Sequence, residues 1–294
     1  MLTAGQKIMI KMKYIYILLI ICSALYHTSC DKKEEVLEDL IVIVDTTIVN
    51  IDTTIVSIDT TIISIDTTII YEWESQLDKI KYPNTKTWYH GANTIEKAKE
   101  KSMIFEGLEL DINFDRNSEN LYVCHNIEDT ILGLTIEEWF EALPNPSQNY
   151  YWIDFKNLHP DYVHYACEKI LSLIYKYNLK NRIWIEFYNI PELEIVKRYG
   201  IYTILTIENS NYQDYSLFIW QYFILGKIAQ LKPEAIGCDH TMFNNLTKFF
   251  PNYHIFLWHS TLIYTDEYAE ETRKMCQHPS VKVVLVDYEN PITF

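Results

Sequence analysis

From residue 85 onward, short runs rich in strand-forming residues alternate with segments of helical periodicity. The strand candidates are residues 85–90, 106–114, 150–155, 182–188, 201–207, 234–239, 253–258 and 281–287. Helices are predicted at residues 95–102, 135–142, 162–177, 191–199, 215–230, 242–249 and 264–276. Such alternation predicts a parallel sheet, and eight strands suit a closed (β/α)8 barrel of the TIM type. An open doubly wound sheet is the alternative, because buried strands of either fold are almost continuously apolar.

The composition limits the classes of molecule that the chain is expected to bind. The chain has 294 residues and is 48% hydrophobic, so it can bury a substantial core. Its formal net charge of −15 and the lack of a basic patch with interleaved aromatics argue against a nucleic-acid partner. With only 7 glycines, the sequence also has no glycine-rich phosphate loop.

The first residues read as a targeting segment. Lys7, Lys11 and Lys13 precede an apolar run at residues 14–26, which is short for a membrane span. The run ends just before Cys30, which charged residues follow, and this pattern resembles a bacterial lipoprotein signal over residues 1–29. We therefore expect lipidation of Cys30 and attachment to a membrane of the bacterial cell envelope, either periplasmic or surface-exposed. An uncleaved anchor is the alternative.

Residues 30–71 are predicted to form a stalk. Between residues 44 and 70 a seven-residue motif containing Asp-Thr-Thr-Ile occurs four times, with apolar residues spaced alternately by four and three. This is the heptad pattern of a coiled coil, and Ile at both core positions favours three or four helices, so a homo-oligomer such as a trimer is expected. A β-rich or disordered spacer is the alternative, because Thr, Ile and Val favour strands. The barrel would then occupy residues 72–294.

The cysteines of the predicted barrel are far apart in sequence. They are Cys124, Cys167, Cys238 and Cys276. An exported protein permits disulfides, but this spacing matches neither a disulfide framework nor a zinc ribbon. We expect buried free thiols.

Two neighbouring strands carry charged residues two positions apart. Glu109 and Asp111 share one face of the second strand, and Asp154 and Lys156 share one face of the third. In a (β/α)8 barrel the active site lies at the C-terminal ends of the strands. Three carboxylates converging there form a hard-oxygen site suited to Mg²⁺ or Ca²⁺. In the alternative interpretation, the carboxylates face solvent and Lys156 forms a structural ion pair.

Histidines occur at two further strand ends. His90 ends the first strand, and His125 follows a hairpin-like segment after the second. Two histidines can act as general acid and general base, and a lysine beside a metal ion can balance the charge of a phosphate. Together with the carboxylates, this set suits metal-assisted phosphoryl transfer. A helix-capping His90 or an exposed His125 would be the structural alternative.

Other polar or aromatic residues lie at the later strand ends. Glu186, Asp239 and Asp287 fit a role in an active site and a role in stabilising the fold about equally well. Trp258 and His259 are neighbours on one strand, so if Trp258 faces the pocket, His259 points the other way.

These residues occur in motifs that resemble a known family. The motifs are WYHGANT, EGLELDINFD, YVCHN, YWIDFKN and VLVDYENP. As a set they are similar to the phospholipase C-like phosphodiesterase superfamily of TIM barrels, which includes the glycerophosphodiester phosphodiesterases and the menorin-like proteins. Glycerophosphodiesterases usually carry Arg directly after the first histidine, whereas this chain has Gly91.

The resemblance implies roles for individual residues. His90 and His125 would be the acid/base pair, and Lys156 would contact the phosphate. The metal ligands would be Glu109, Asp111 and Asp154. Residues predicted to contact the substrate are Asn93, Glu186 and Trp258. In these families an internal hydroxyl of the substrate often attacks phosphorus and gives a cyclic phosphate.

The sequence therefore favours a metal-dependent phosphodiester hydrolase acting on glycerophosphodiesters or a phospholipid-type head group. The alternative is a catalytically inactive barrel that binds a glycan, a lipid head group or a protein. Glycoside hydrolysis fits less well, because Glu109 and Asp111 share one strand and lie too close to flank a glycosidic bond.

Overall fold

The computed structural model describes residues 76–207, 214–261 and 264–288. The predicted signal segment, Cys30 and the heptad repeat lie outside these residues, so their interpretation stays a prediction.

Nine strands and seven α-helices follow one another along the described chain. The strands are β1 (Thr87–Tyr89), β2 (Gly107–Asp115), β3 (Asn120–Val123), β4 (Tyr150–Phe155), β5 (Ile183–Phe187), β6 (Tyr202–Thr206), β7 (Ala235–Asp239), β8 (Ile255–His259) and β9 (Val281–Val286). The helices are α1 (Ile95–Ser102), α2 (Ile136–Ala142), α3 (Val163–Tyr177), α4 (Ile190–Arg198), α5 (Asp214–Leu231), α6 (Phe243–Phe249) and α7 (Asp266–Gln277). All eight predicted strands and all seven predicted helices are present, with ends displaced by at most a few residues.

Eight of the strands form a closed parallel barrel. The strand order is β1-β9-β8-β7-β6-β5-β4-β2, and β1 also pairs with β2, which closes the ring. The closing register places Tyr89 beside Val286 of β9 on one side and beside Leu108 of β2 on the other. The (β/α)8 prediction is confirmed, and the open doubly wound sheet is excluded. The remaining strand, β3, forms an antiparallel hairpin with β2.

Several helices begin where the sequence supplies a capping residue. At the start of α2, the hydroxyl of Thr135 accepts from the backbone N–H of Glu138, whose side chain accepts in return from the Thr135 backbone. Thr94 and Thr265 cap α1 and α7 in the same way, without the reciprocal carboxylate contact. Each cap satisfies backbone N–H groups that have no partner within the helix.

Among the described residues, no helix is both long and apolar enough to span a membrane.

The N-terminal half of the barrel interior is filled by aromatic side chains. Trp88, Trp184 and Phe256 are fully buried there, with ring centroids 5.7 to 6.0 Å apart. Tyr82, in the segment that precedes β1, stacks on Trp184 with ring centroids 5.7 Å apart. This half of the barrel is therefore solid core, and any ligand must bind at the opposite end, where the strands finish.

The four cysteines of the barrel are free and buried, as the sequence predicts. Burial raises the pKa of the Cys167 and Cys276 thiols to about 12. These thiols are consequently un-ionised at neutral pH and are poor nucleophiles.

The close packing of the barrel interior yields a stability prediction at Gly107. A Cβ atom at this position would lie 2.0 Å from Cδ2 of the Trp88 ring. We expect Gly107→Ala to lower the free energy of unfolding by about 1–3 kcal/mol or more, because the fully buried indole has no space to move. Urea denaturation followed by tryptophan fluorescence measures this change.

Gly226→Ala is the matched control. Gly226 lies inside α5, and a Cβ there would meet nothing within 4 Å. This variant should be as stable as the wild type or more stable by about 0.5–1 kcal/mol, since Ala favours helix over Gly. Equal stability of Gly107→Ala and wild type would contradict the proposed packing of the barrel interior.

Candidate active site

Three carboxylates stand side by side across neighbouring strands. The register pairs Asp111 of β2 with Asp154 of β4, and Asp154 with Glu186 of β5. Residues paired in register on adjacent strands point to the same side of the sheet, which here is the barrel interior. Glu109 lies two residues before Asp111 on the same face. Glu109, Asp111 and Glu186 are each no more than 5% exposed.

Lys156 ties two of these carboxylates together. It follows the end of β4, and its Nζ lies 2.7 Å from Asp111 Oδ1 and 2.5 Å from Asp154 Oδ2. Burial alone would lower the pKa of Lys156, but the carboxylates of Asp154 and Asp111 raise it overall. Lys156 is therefore a permanent cation inside the site.

One lysine does not balance this much negative charge. Burial raises the pKa of Glu109 well above its usual range, and the charges of Asp111 and Asp154 raise it further. Burial also raises the pKa of Asp154, although Lys156 opposes the shift. Burial, followed by the charge of Asp154, raises the pKa of Glu186. The site therefore holds more carboxylates than its own cation neutralises.

This excess of carboxylate fits a divalent metal ion. Oxygen atoms of Glu109, Asp111 and Asp154 all lie within 4.8 Å of one another, so one ion could contact all three. Carboxylate oxygens are the ligands that Mg²⁺ and Ca²⁺ prefer. The structure thus brings together the three residues that the sequence singled out as metal ligands.

Asn93 positions one of these carboxylates. Its Nδ2 donates to Asp111 Oδ2 at 2.6 Å, and its Oδ1 accepts from the Asp111 backbone N–H at 2.9 Å. This pair of hydrogen bonds fixes the Asp111 side chain in one orientation. A contact between Asn93 and substrate stays a prediction.

The backbone at Gly91 disfavours a side chain at this position. Gly91 has a φ of +69°, and its N–H donates to Glu109 Oε2 at 2.7 Å. A side chain would be strained at this φ. Here the chain contributes a backbone donor to the carboxylate instead of a side-chain cation.

His90 is oriented by a carboxylate from the last strand. Its Nδ1 lies 2.8 Å from Asp287 Oδ1, and the other oxygen of Asp287 accepts from the Thr261 backbone N–H at 2.8 Å. An ionised carboxylate only accepts hydrogen bonds, so Nδ1 carries the proton and Nε2 presents its lone pair. Nε2 lies 3.9 Å from Glu109 Oε2, close to the carboxylate cluster.

The sequence placed Asp287 near the site without identifying His90 as its partner. Barrel closure is the signal that could have identified this pair, because it puts the last strand beside the first. His90 follows Tyr89, Asp287 follows Val286, and Tyr89 and Val286 are paired in register.

His125 lies at the rim of the site. It is exposed, and its Nδ1 is 3.1 Å from Asn126 Oδ1. Its charge lowers the pKa of Asp154 slightly, in opposition to burial, so it stands near the carboxylates. It does not line the pocket in which His90 lies.

A pocket of about 400 Å³ opens above the carboxylates. Its acidic and basic lining residues are His90, Glu109, Asp154, Lys156 and Glu186. Trp258 lines one wall, while His259 points outward and stacks on Tyr268 of α7 at 3.7 Å. Sequence reasoning did not identify three further polar lining residues: Tyr188, Thr206 and Ser260.

Glu186 is held by donors from two strands. The Trp152 indole N–H donates to its Oε2 at 2.6 Å, and the Thr206 hydroxyl donates to its Oε1 at 2.9 Å. These bonds fix its position in the pocket wall. Asp239 differs, because its Oδ1 accepts from the backbone N–H and the hydroxyl of Thr241 and so caps the turn after β7.

The fold is similar to those of solved phosphodiesterases. A glycerophosphodiester phosphodiesterase from Parabacteroides distasonis is 13% identical, with a TM-score of 0.51 over 70% of this chain and 94% of that protein. A phosphodiesterase from Oleispira antarctica, solved in complex with the product sn-glycerol-3-phosphate, is 12% identical, with a TM-score of 0.52 over 71% and 94%. No family model matches the sequence, and no curated protein sequence matches it significantly. The likeness confirms the TIM-barrel fold that the sequence resemblance implied.

The raised pKa of Glu109 predicts a pH-dependent stability in the metal-free protein. An acid whose pKa is higher in the folded state contributes stability below its unfolded value of about 4.3, and this contribution is lost as pH rises through the folded value. Glu109→Gln removes the ionisation. We therefore expect this variant to gain stability relative to wild type as pH rises from about 4 to 8, by about 1.4 kcal/mol per unit of pKa difference.

Urea denaturation of chelator-treated protein across this pH range measures the difference. The exposed Glu96→Gln variant on α1 controls for the loss of one negative charge. A difference between Glu109→Gln and wild type that stays constant with pH would contradict the prediction.

Proposed function

We propose that the protein is a metal-dependent phosphodiester hydrolase. The observation that carries the proposal is a single pocket in which His90, oriented by Asp287, stands beside three clustered carboxylates and Lys156. Phosphoryl transfer needs a general acid/base and positive charge placed against the phosphate oxygens. The pocket offers the histidine and the lysine, together with a ligand set for Mg²⁺ or Ca²⁺.

Lys156 supplies the fixed positive charge of the chain itself. Two of its three N–H donors point to Asp111 and Asp154, which leaves a third for a phosphate oxygen. Because both carboxylates hold it, the ammonium group is already in place before substrate arrives. A divalent ion on the three carboxylates would supply further stabilisation of the negative charge that develops on the phosphate.

His90 supplies the proton-transfer group. Its Nε2 lone pair can accept a proton from an attacking hydroxyl, and the resulting imidazolium is stabilised by the carboxylate of Asp287. His125 is the candidate for the second transfer, donating to the leaving oxygen from the rim. This assignment follows the resemblance and requires His125 to turn from solvent towards the bound phosphate.

The substrate class follows from the pocket and from the structural neighbours. A volume of about 400 Å³ suits a small polar head group. A structural neighbour was solved with sn-glycerol-3-phosphate as its product. We therefore propose glycerophosphodiesters or a phospholipid-type head group as substrate. A lipid anchor at Cys30 and an oligomeric stalk would hold the barrel near such molecules at the envelope membrane.

A binding module without turnover is the second candidate. It is favoured by the position of Lys156, whose ammonium group already pairs with two of the three proposed metal ligands. In this alternative the barrel binds a glycan, a lipid head group or a protein and cleaves nothing.

Activity measurements separate the two candidates. We expect release of product from a panel of glycerophosphodiesters with added Mg²⁺ or Ca²⁺, and its loss in excess chelator. His90→Ala should lower kcat/KM by about 10²–10⁴-fold, because it removes the general base. Glu109→Ala should raise the metal concentration needed for half-maximal activity.

His164→Ala is the matched control, since His164 is an exposed histidine on the outer helix α3. It should retain wild-type activity. Full activity in His90→Ala or in excess chelator would overturn the proposed hydrolase. Calorimetric binding of Mg²⁺ without turnover of any diester would support the binding module instead.

A further inference from the structure

A second cluster of potential metal ligands lies outside the pocket. It consists of His240 directly after β7, His259 at the end of β8 and Glu271 on α7. One ligand atom from each residue lies within 4.8 Å of the other two. None of the three lines the pocket that contains His90, and the proposed phosphodiesterase chemistry does not use them.

Buried hydrogen bonds determine which nitrogen of His259 is available. The hydroxyl of Thr272 donates to the Tyr268 backbone carbonyl at 3.0 Å and lies 2.9 Å from His259 Nδ1. A hydroxyl has one proton to donate, so with that proton on the carbonyl, Nδ1 of His259 must be the donor. The Tyr288 hydroxyl, 2.8 Å from the Thr272 oxygen, is the third partner in this network. In the arrangement in which Thr272 donates to the carbonyl, Nε2 of His259 carries a lone pair.

That lone pair faces a carboxylate. His259 Nε2 lies 3.4 Å from Glu271 Oε2, and no hydrogen bond links the two atoms. A lone pair and a carboxylate at this distance repel each other unless a proton or a metal ion lies between them.

His240, the third residue of the cluster, has a ring nitrogen without a partner. Its Nδ1 is buried and has no hydrogen-bond partner among the described residues. The carboxylate oxygen Asp239 Oδ1 is 3.6 Å away and already accepts from Thr241. The imidazole rings of His240 and His259 lie 4.2 Å apart between centroids. A buried imidazole nitrogen without a partner is costly unless it binds something.

We propose that His240, His259 and Glu271 bind a divalent transition-metal ion, with Zn²⁺ as the best match. Two imidazoles and one carboxylate are a common zinc ligand set, with the fourth position left for water or another ligand. Thr272 acts as the positioning residue, because a metal-bound histidine characteristically donates its other N–H to a fixed acceptor. The ion would tie α7 to the ends of β7 and β8.

This site differs in chemistry from the pocket. Glu109, Asp111 and Asp154 offer only oxygen atoms, whereas the outer cluster offers two nitrogens. An excess of Mg²⁺ should occupy the oxygen cluster and leave the histidines available. Zn²⁺ can then be titrated into the outer site with little competition.

The test uses the full-length protein in excess Mg²⁺, with Zn²⁺ titrated against a chromophoric chelator. We expect a site for one ion per chain whose X-ray absorption spectrum at the zinc edge shows two imidazole ligands. Glu271→Gln and His240→Gln should each weaken Zn²⁺ binding by about tenfold or more, and Thr272→Val by about 10–100-fold. Zn²⁺ should also raise the thermal unfolding temperature of the wild type more than that of Glu271→Gln.

Glu270→Gln is the matched control, because Glu270 is an exposed neighbour on the same helix that pairs with Arg273 at 3.1 Å. Its Zn²⁺ affinity should equal that of wild type. Three results would each overturn the proposal: no Zn²⁺ binding in excess Mg²⁺, equal weakening by Glu270→Gln and Glu271→Gln, or a zinc spectrum with oxygen ligands only. Loss of binding in Glu109→Gln but not in Glu271→Gln would place the ion in the pocket and would overturn it as well.

Discussion

Lys156 donates to Asp111 and Asp154 from the end of β4, and these two contacts hold together carboxylates that would otherwise repel one another across adjoining strands. The pocket above them depends on this arrangement, because Glu109 and Glu186 remain buried beside the pair without a cation of their own. Burial and mutual repulsion raise the pKa of both glutamates. A divalent ion would relieve the same repulsion, which links the stability of the barrel to its proposed metal chemistry.

The inside and the outside of the strand ring provide the two proposed metal environments. Inside the barrel, oxygen ligands from β2 and β4 face the pocket. Outside it, imidazoles from the ends of β7 and β8 face α7. Alternation along β8 makes this division possible, since Trp258 lines the pocket while the next residue, His259, points outward. Asp287 accepts from His90 at the same end of the barrel.

Sequence reasoning predicted the parts of the site that depend on local periodicity. Residues two apart on a strand share a face, and this rule placed Glu109 with Asp111, and Asp154 with Lys156. The pairing of His90 with Asp287 depends on barrel closure between residues 197 positions apart, so no local pattern reports it. The contacts of Thr206 with Glu186 and of Thr272 with His259 likewise join separate elements. Such contacts follow from register and helix docking, which residue types alone do not specify.

By itself the sequence determined the order and length of the strands and helices, the barrel class and the candidate metal ligands. Hydrophobic periodicity and capping residues act over a few positions, so both can be recognised in a single sequence. Only the tertiary structure decided that Lys156 bridges Asp111 and Asp154, that Asp287 orients His90 and that His125 stands at the rim. It also decided that His240, His259 and Glu271 lie close together outside the strand ring. These outcomes depend on which side chains converge when the strand ring closes, and convergence is a property of packing in three dimensions.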